Sequence, residues 1–107
     1  MDSNRPSMPH LSRCSSSRVT TPLVCVSLPG LKPSIWCKLE YLNPSGSTKD
    51  RIARYILTKA IRQGELLAAG VVVEASSGST SIAMALACAQ LGLTFVAVMP
   101  EGVSNER

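Results

Sequence analysis

The apolar residues within positions 34–40 follow the two-residue period of β-strands. Ile35, Cys37 and Leu39 occupy every second position of residues 34–40, and this alternation is typical of a strand with one buried face. Residues 21–33 are interpreted as a shorter strand that ends in a Pro/Gly turn. A second turn is predicted at residues 43–47, where Asn, Pro, Ser and Gly cluster.

From Thr48 onward the apolar period becomes that of a helix. One apolar stripe of an amphipathic helix is formed by Ile52, Ala53, Ile56, Leu57, Ala60 and Ile61. Ser47 followed by Asp50 resembles a capping box with aspartate in place of glutamate, so the helix is predicted to start at about Thr48. Gly64 is expected to end it.

In the second half of the chain, the sequence predicts a strand, a turn, a helix and a strand in succession. Residues 70–75 are a β-branched run of the buried-strand type, and residues 76–81 form a polar turn. A helix over 82–92 and another buried strand over 93–100 follow. This order is a βαβ unit, which requires a parallel sheet and a right-handed crossover. We therefore predict an α/β fold with a parallel-sheet βαβ core.

The helix of residues 82–92 is apolar on nearly every side. Such a helix is normally buried on more than one face, and one βαβ unit with one other helix is too small to bury it. The sequence therefore predicts the incomplete front part of a larger domain, formed by residues 19–107. Residues 1–18, rich in serine, arginine and proline, are expected to be a disordered extension.

Composition excludes several classes of partner. The net charge of +4 comes largely from Arg5, Arg13 and Arg18, and only 4% of the residues are aromatic, so we do not expect a nucleic-acid partner. No apolar run reaches the ~18 residues of a membrane span. Because no secretory signal is recognised and the four cysteines lack C-x-x-C spacing, we expect a cytoplasmic protein with reduced thiols and no metal site.

Lys49 is the first candidate catalytic residue. It lies just inside the predicted N-terminus of the first helix, where the helix dipole and desolvation both favour the neutral, nucleophilic amine. An amine of this kind can form a Schiff base with a carbonyl compound. On spacing alone, a solvated surface lysine is the more frequent explanation.

The polar turn of residues 76–81 is a second candidate site, one that could bind an anion. At the start of a helix its backbone N–H groups suit a phosphate or a carboxylate, and Gly78 permits close approach of a ligand. The turn matches neither G-x-G-x-x-G nor G-x-x-x-x-G-K-[ST], and a serine-rich cap without a ligand explains it equally well. Lys49 and the turn of residues 76–81 are predicted to lie on successive βα turns. Such turns gather at the carboxyl ends of parallel strands.

Four sequence blocks resemble a known family in order and spacing. The blocks TPLV, KLEYLNPSGSTKDR, VVEASSGSTSIAMALA and VMPEGVSNER are similar to the front part of the cysteine synthase and cystathionine β-synthase family. These are fold-type II pyridoxal-phosphate enzymes, and the resemblance covers residues 21–107. It implies that Lys49 binds the cofactor covalently and that Ser79 contacts it. It also implies that Ser76, Ser77, Gly78 and Thr80 bind the α-carboxylate of an amino-acid substrate.

The resemblance implies β-replacement on an activated serine, which yields cysteine from sulfide or a thiol, and a homodimer as the full-length form. Ser79 stands where the family usually has asparagine, and Ser81 stands where it commonly has glycine. Family members are much longer, and their remaining part holds the cofactor phosphate, so activity of this chain alone is not implied. Two alternatives stay open: a serine/threonine dehydratase-like lyase, and a non-catalytic remnant that binds anions or a partner.

Overall fold

The computed structural model describes residues 20–30 and 32–102. Its elements are β1 (Leu23–Val26), β2 (Ile35–Lys38), α1 (Lys49–Arg62), β3 (Val71–Ala75), α2 (Ser79–Leu91) and β4 (Thr94–Val98). A short 3₁₀ turn, Glu40–Leu42, precedes α1. The order of elements agrees with the predicted one, while the prediction for residues 1–18 falls outside the described residues.

The first two strands form an antiparallel ribbon, with Leu23 opposite Lys38 and Val26 opposite Ile35. The alternation in residues 34–40 predicted one buried face, but Ile35 is 45% exposed and only Cys37 and Leu39 are half-buried. The difference arises because no described helix packs extensively across this ribbon. A two-stranded ribbon alone cannot bury either of its faces.

The predicted βαβ unit is confirmed. β3 and β4 pair in parallel, from Val71 opposite Thr94 to Ala75 opposite Val98, and α2 connects them. The helix begins at Ser79 rather than at residue 82, because the polar residues of the predicted turn already have helical backbone and Gly78 is the N-cap. It ends at Leu91, and its C-cap is Gly92, whose left-handed φ of 69° favours glycine.

The hydrophobic core lies between the two helices. α1 contributes Ala53, Leu57 and Ile61, and α2 contributes Ala83, Met84, Ala87, Cys88 and Leu91, with Leu93 beside them. The other half of the predicted α1 stripe stays exposed, with Ile52 at 48% and Ile56 at 45%. Among the described elements α1 packs mainly on α2, so only the side of the stripe that faces α2 is buried.

One face of the parallel pair of strands packs against α2, and the other is exposed. Val72 and Phe95 pack against the core, whereas Val71, Val73 and Val96 are between 43% and 61% exposed. α2 packs on α1 and on β3 and β4, but Ile82 stays 52% exposed, so part of its apolar surface is uncovered within the described residues. Within the described ranges, no helix is long and apolar enough to cross a membrane.

Candidate active site

The turn before α1, residues 43–48, is closed by a single buried amide. Asn43 is 5% exposed, and its Nδ2 donates to the carbonyl oxygens of Glu40 and Ser47, both at 2.8 Å. The Glu40 carbonyl precedes the turn, and the Ser47 carbonyl lies near its end. Asn43 therefore fixes the path of the backbone that leads into α1, and Lys49 is the first residue of that helix.

The start of α1 differs from the predicted capping box. Thr48, not Ser47, is the N-cap, and no side chain makes a standard cap bond there. Ser47 Oγ instead accepts from the backbone N–H of Lys49 at 3.1 Å, and Asp50 Oδ2 accepts from the backbone N–H of Ser45 at 2.8 Å. The turn folds back over the first helical residues, so Asp50 bonds to the turn rather than to the N–H of Ser47. A carboxylate here is also favoured by the helix dipole.

Lys49 occupies the position that its sequence context predicts, at the N-terminus of the helix. Its side chain is half-buried. Across residues 20–30 and 32–102, no hydrogen-bonding or ionic partner of its Nζ is found. Within the described residues, the turn before α1 is therefore what sets the position of the Lys49 amine.

A polar network that the sequence reasoning missed joins the first strands to α1. Arg51 binds Glu40 through two bonds, Nη2 to Oε1 at 2.9 Å and Nε to Oε2 at 3.0 Å. Thr21 Oγ1 donates to Glu40 Oε1 at 2.6 Å, and Asn43 Nδ2 donates to Oε2 at 2.8 Å. Hydrogen bonds from Arg51, then from Thr21 and Asn43, lower the pKa of Glu40 from 4.5 to about 2. In the sequence, this ion pair is indicated by the opposite charges of Glu40 and Arg51, which lie on either side of the predicted turn.

The loop between β3 and α2 is held by two serines. Ser76 Oγ accepts from the backbone N–H of Gly78 at 3.2 Å, and Ser81 Oγ donates to the carbonyl oxygen of Ser76 at 2.5 Å. Ser81 is 8% exposed, so its side chain lies inside the loop. Ser81, one of the two residues that depart from the pattern of the similar family, thus has a defined structural role in this chain.

The N-terminus of α2 opens onto a groove of about 740 Å³. No side chain caps this terminus, and the first N–H groups of a helix have no partner within the helix. The groove is lined by the end of β3 and the loop that follows it, and by the end of β4 and the residues after it: Glu74, Ala75, Ser76, Ser77, Gly78, Thr80, Val98, Met99 and Pro100. The groove lies at the carboxyl ends of β3 and β4. The turn before α1 instead follows β2, which pairs antiparallel with β1 and not with β3 or β4. The prediction that both loops follow strands of one parallel sheet is therefore not met among the described strands.

The structure brings some of the candidate site residues together and leaves others apart. The four proposed carboxylate ligands all line the groove, but Ser79 is exposed and is not part of its lining. Lys49 also lies outside the lining. A Cβ built on Gly78 would meet no atom within 4 Å, so the space beside this residue is open to a ligand. Among the described residues, no group of three potential metal ligands is found.

Comparisons with known proteins agree on one class of enzyme. A family model described as pyridoxal-phosphate dependent enzyme matches residues 15–107. Cysteine synthase B of Campylobacter jejuni is 42% identical over 87 residues, which are 81% of this chain and 28% of that protein. A cysteine synthase of Staphylococcus aureus is 47% identical over 73 residues, which are 68% of this chain and 24% of that protein.

A solved structure is also similar to this chain. The crystal structure of O-acetylserine dependent cystathionine β-synthase from Helicobacter pylori superposes with a TM-score of 0.72 and 33% sequence identity. The match covers 88% of this chain and 31% of that one. The chain therefore spans between 24% and 31% of the lengths of these three proteins.

Proposed function

Since this chain belongs to the family of pyridoxal-phosphate dependent enzymes, we propose that it supplies the covalent lysine and the carboxylate loop of a cysteine synthase-like enzyme. Lys49 is the residue proposed to hold the cofactor, and Ser79 is proposed to contact it. The proposed ligands of the substrate's α-carboxylate are Ser76, Ser77, Gly78 and Thr80. The uncapped N-terminus of α2, which opens onto the groove, is the observation that carries this proposal.

The described residues fit these two tasks. The Lys49 amine is half-buried and is not engaged by another described side chain, so it is available to form a covalent bond. At the other site, the open space beside Gly78 allows a carboxylate to approach the free N–H groups at the start of α2. A helix N-terminus favours such an anion through both its N–H donors and its dipole.

Pyridoxal phosphate, when bound, supplies an electron sink that allows the β-substituent of an amino acid to be replaced. Lys49 Nζ would hold the cofactor and, when not bonded to it, would take and return the α-proton at the same nitrogen. The α2 terminus binds the α-carboxylate and so fixes one end of the amino acid. Binding at two points limits the motion of the α-carbon, which is how such a site promotes reaction.

We further propose that the amino acid is a serine activated at its hydroxyl, such as O-acetylserine. The Cβ–O bond breaks, a sulfide or thiol forms the Cβ–S bond, and acetate leaves with the thiol proton. Relatives named cysteine synthase and an O-acetylserine dependent synthase favour this over a dehydratase-like lyase with the same lysine. A cytoplasmic homodimer is the assembled form that we propose, on the resemblance to the family.

The proposal is tested by mapping where the cofactor reacts. The 107-residue chain is mixed with pyridoxal phosphate and reduced with borohydride, and the pyridoxyl-lysines are located by peptide mass spectrometry. We expect most of the label on Lys49 and its loss in Lys49→Arg. Lys59→Arg, an exposed control on the same helix, should leave labelling of Lys49 unchanged. Label spread evenly over Lys38, Lys49 and Lys59 would contradict the proposal.

A further inference from the structure

We propose that Glu40 and Arg51 are positioning residues for Lys49. Their ion pair, together with Asn43, fixes the turn of residues 43–48 and the start of α1, and so sets where the amine lies. This inference rests on the proposed function in one respect, since it takes Lys49 as the reacting amine. Neither residue of the pair is proposed to touch the cofactor or the substrate.

The Glu40 carboxylate connects three separate parts of the chain. Its Oε1 accepts from Thr21, which precedes β1, and from Arg51 on α1. Its Oε2 accepts from Arg51 again and from Asn43 at the beginning of the turn. Arg51 Nη2 also donates to Thr21 Oγ1 at 3.0 Å. The same atoms therefore fix α1 relative to both the strands and the turn.

Glu40 and Arg51 flank Lys49 in the sequence. Glu40 precedes the turn, and Arg51 lies in the first turn of α1, two residues beyond the lysine. A guanidinium that binds a carboxylate through two parallel bonds restricts orientation as well as distance. Rotation of α1 about its axis, which would carry Lys49 away from its place, would break both bonds.

Asn43 transmits this constraint to the backbone. It is 5% exposed, and its Nδ2 faces the Glu40 carboxylate as well as the carbonyl oxygens of Glu40 and Ser47. Gly46 adds a backbone bond to the Asn43 carbonyl at 2.7 Å. Loss of the Glu40 charge would weaken the contact that orients the Asn43 amide, and the turn would loosen just before Lys49.

The test compares Glu40→Gln, which removes the charge at nearly constant size, with Arg51→Lys, which keeps the charge but loses the two-bond geometry. The first readout is the ratio of pyridoxyl label on Lys49 to label on Lys59, measured where circular dichroism shows that the fold is retained. The second readout is hydrogen exchange at the backbone amides of Gly46 and Lys49. Glu65→Gln is the control, because Glu65 is exposed and has no ion pair among the described residues.

We expect Glu40→Gln to lower the Lys49 to Lys59 ratio by roughly threefold or more and to speed amide exchange in the turn by roughly tenfold. Arg51→Lys should change both readouts in the same direction but less, and Glu65→Gln should change neither. If Glu40→Gln does not fold, Arg51→Lys decides the question. A merely structural role would lower labelling of all lysines together and leave the ratio unchanged, which would overturn the inference.

The two proposals can fail separately. If wild-type chain shows no preference for Lys49, the proposed function fails, and the exchange readout still decides whether the pair fixes the turn. If the wild-type chain does prefer Lys49 and neither Glu40→Gln nor Arg51→Lys alters the ratio or the exchange, the positioning role is overturned while the proposed function stands.

Discussion

The hydroxyl of Ser81 donates a hydrogen bond of 2.5 Å to the carbonyl oxygen of Ser76. Ser76 is the first residue after β3, and Ser81 lies in the first turn of α2, so this bond closes the loop from the inside. The second bond, from the Gly78 N–H to Ser76 Oγ, uses an amide that precedes the helix. The loop is thus held without using the N–H groups at the start of α2, and these stay available for an anion.

Replacing Ser81 should destabilise the fold at this loop. Ser81→Ala removes the donor to a carbonyl in a part-buried setting, and loss of such a bond costs about 1 kcal/mol. We expect a lower urea midpoint by circular dichroism. Ser79→Ala is the control, because Ser79 is exposed and should change stability by no more than about 0.5 kcal/mol. Equal effects of the two substitutions would contradict the role of Ser81.

The two halves of the α1 stripe should differ sharply in their contribution to stability. Leu57 is 2% exposed and lies in the core, whereas its neighbour Ile56 is 45% exposed. Leu57→Ala should therefore cost about 2–5 kcal/mol through lost burial and a residual cavity. Ile56→Ala should cost less than about 1 kcal/mol in this chain. Urea unfolding of both variants checks this, and a larger loss for Ile56→Ala would show that α1 packs on its other side.

The low pKa of Glu40 makes part of the stability depend on acid pH. Because its pKa falls from 4.5 to about 2 on folding, the unfolded chain binds the proton more readily than the folded one. The contribution of Glu40 is complete above its unfolded pKa and is lost as the pH falls towards 2.

The urea midpoint of the wild type should consequently fall more steeply between about pH 5 and pH 2 than that of Glu40→Gln. Other carboxyl groups titrate in both proteins, so the difference between the two curves isolates Glu40. Parallel curves would mean that the Arg51, Thr21 and Asn43 bonds do not favour the ionised form of Glu40.

Cys88 should be the least reactive of the described thiols. Burial raises its pKa, which reduces the thiolate that reacts with alkylating agents. Cys25, by contrast, is exposed. Brief iodoacetamide treatment followed by peptide mapping should label Cys25 and spare Cys88 until urea is added. Rapid labelling of Cys88 without denaturant would mean that the interface between α1 and α2 opens readily.

Local patterns predicted the elements because each pattern depends on neighbours in the sequence. The β-branched run at 70–75 and Gly92 mark the βαβ unit without any knowledge of tertiary contacts. The composition of Ser79, Thr80 and Ser81 predicts a turn, whereas their backbone is already helical in the structure. Which half of the α1 stripe is buried depends on where α2 packs, and that is a tertiary property.

The candidate site likewise combines features that local sequence predicts with contacts that depend on tertiary structure. The positions of Lys49 and of the Gly78 loop at two helix starts follow from local backbone signals. The Glu40–Arg51 pair and the Ser81–Ser76 bond involve side chains that meet only once the turns have formed. Sequence spacing gives no direct indication of such contacts.

We propose that Lys49 and the Ser76–Thr80 loop serve one site. This proposal is tested most directly by attaching the reduced pyridoxyl group to Lys49 and comparing amide correlation spectra with those of unlabelled chain, using Lys49→Arg treated in the same way as the control. We expect altered signals for Gly78, Ser79 and Thr80 that are absent in the control. Altered signals confined to the turn around Lys49, with the Gly78 loop unchanged, would contradict it.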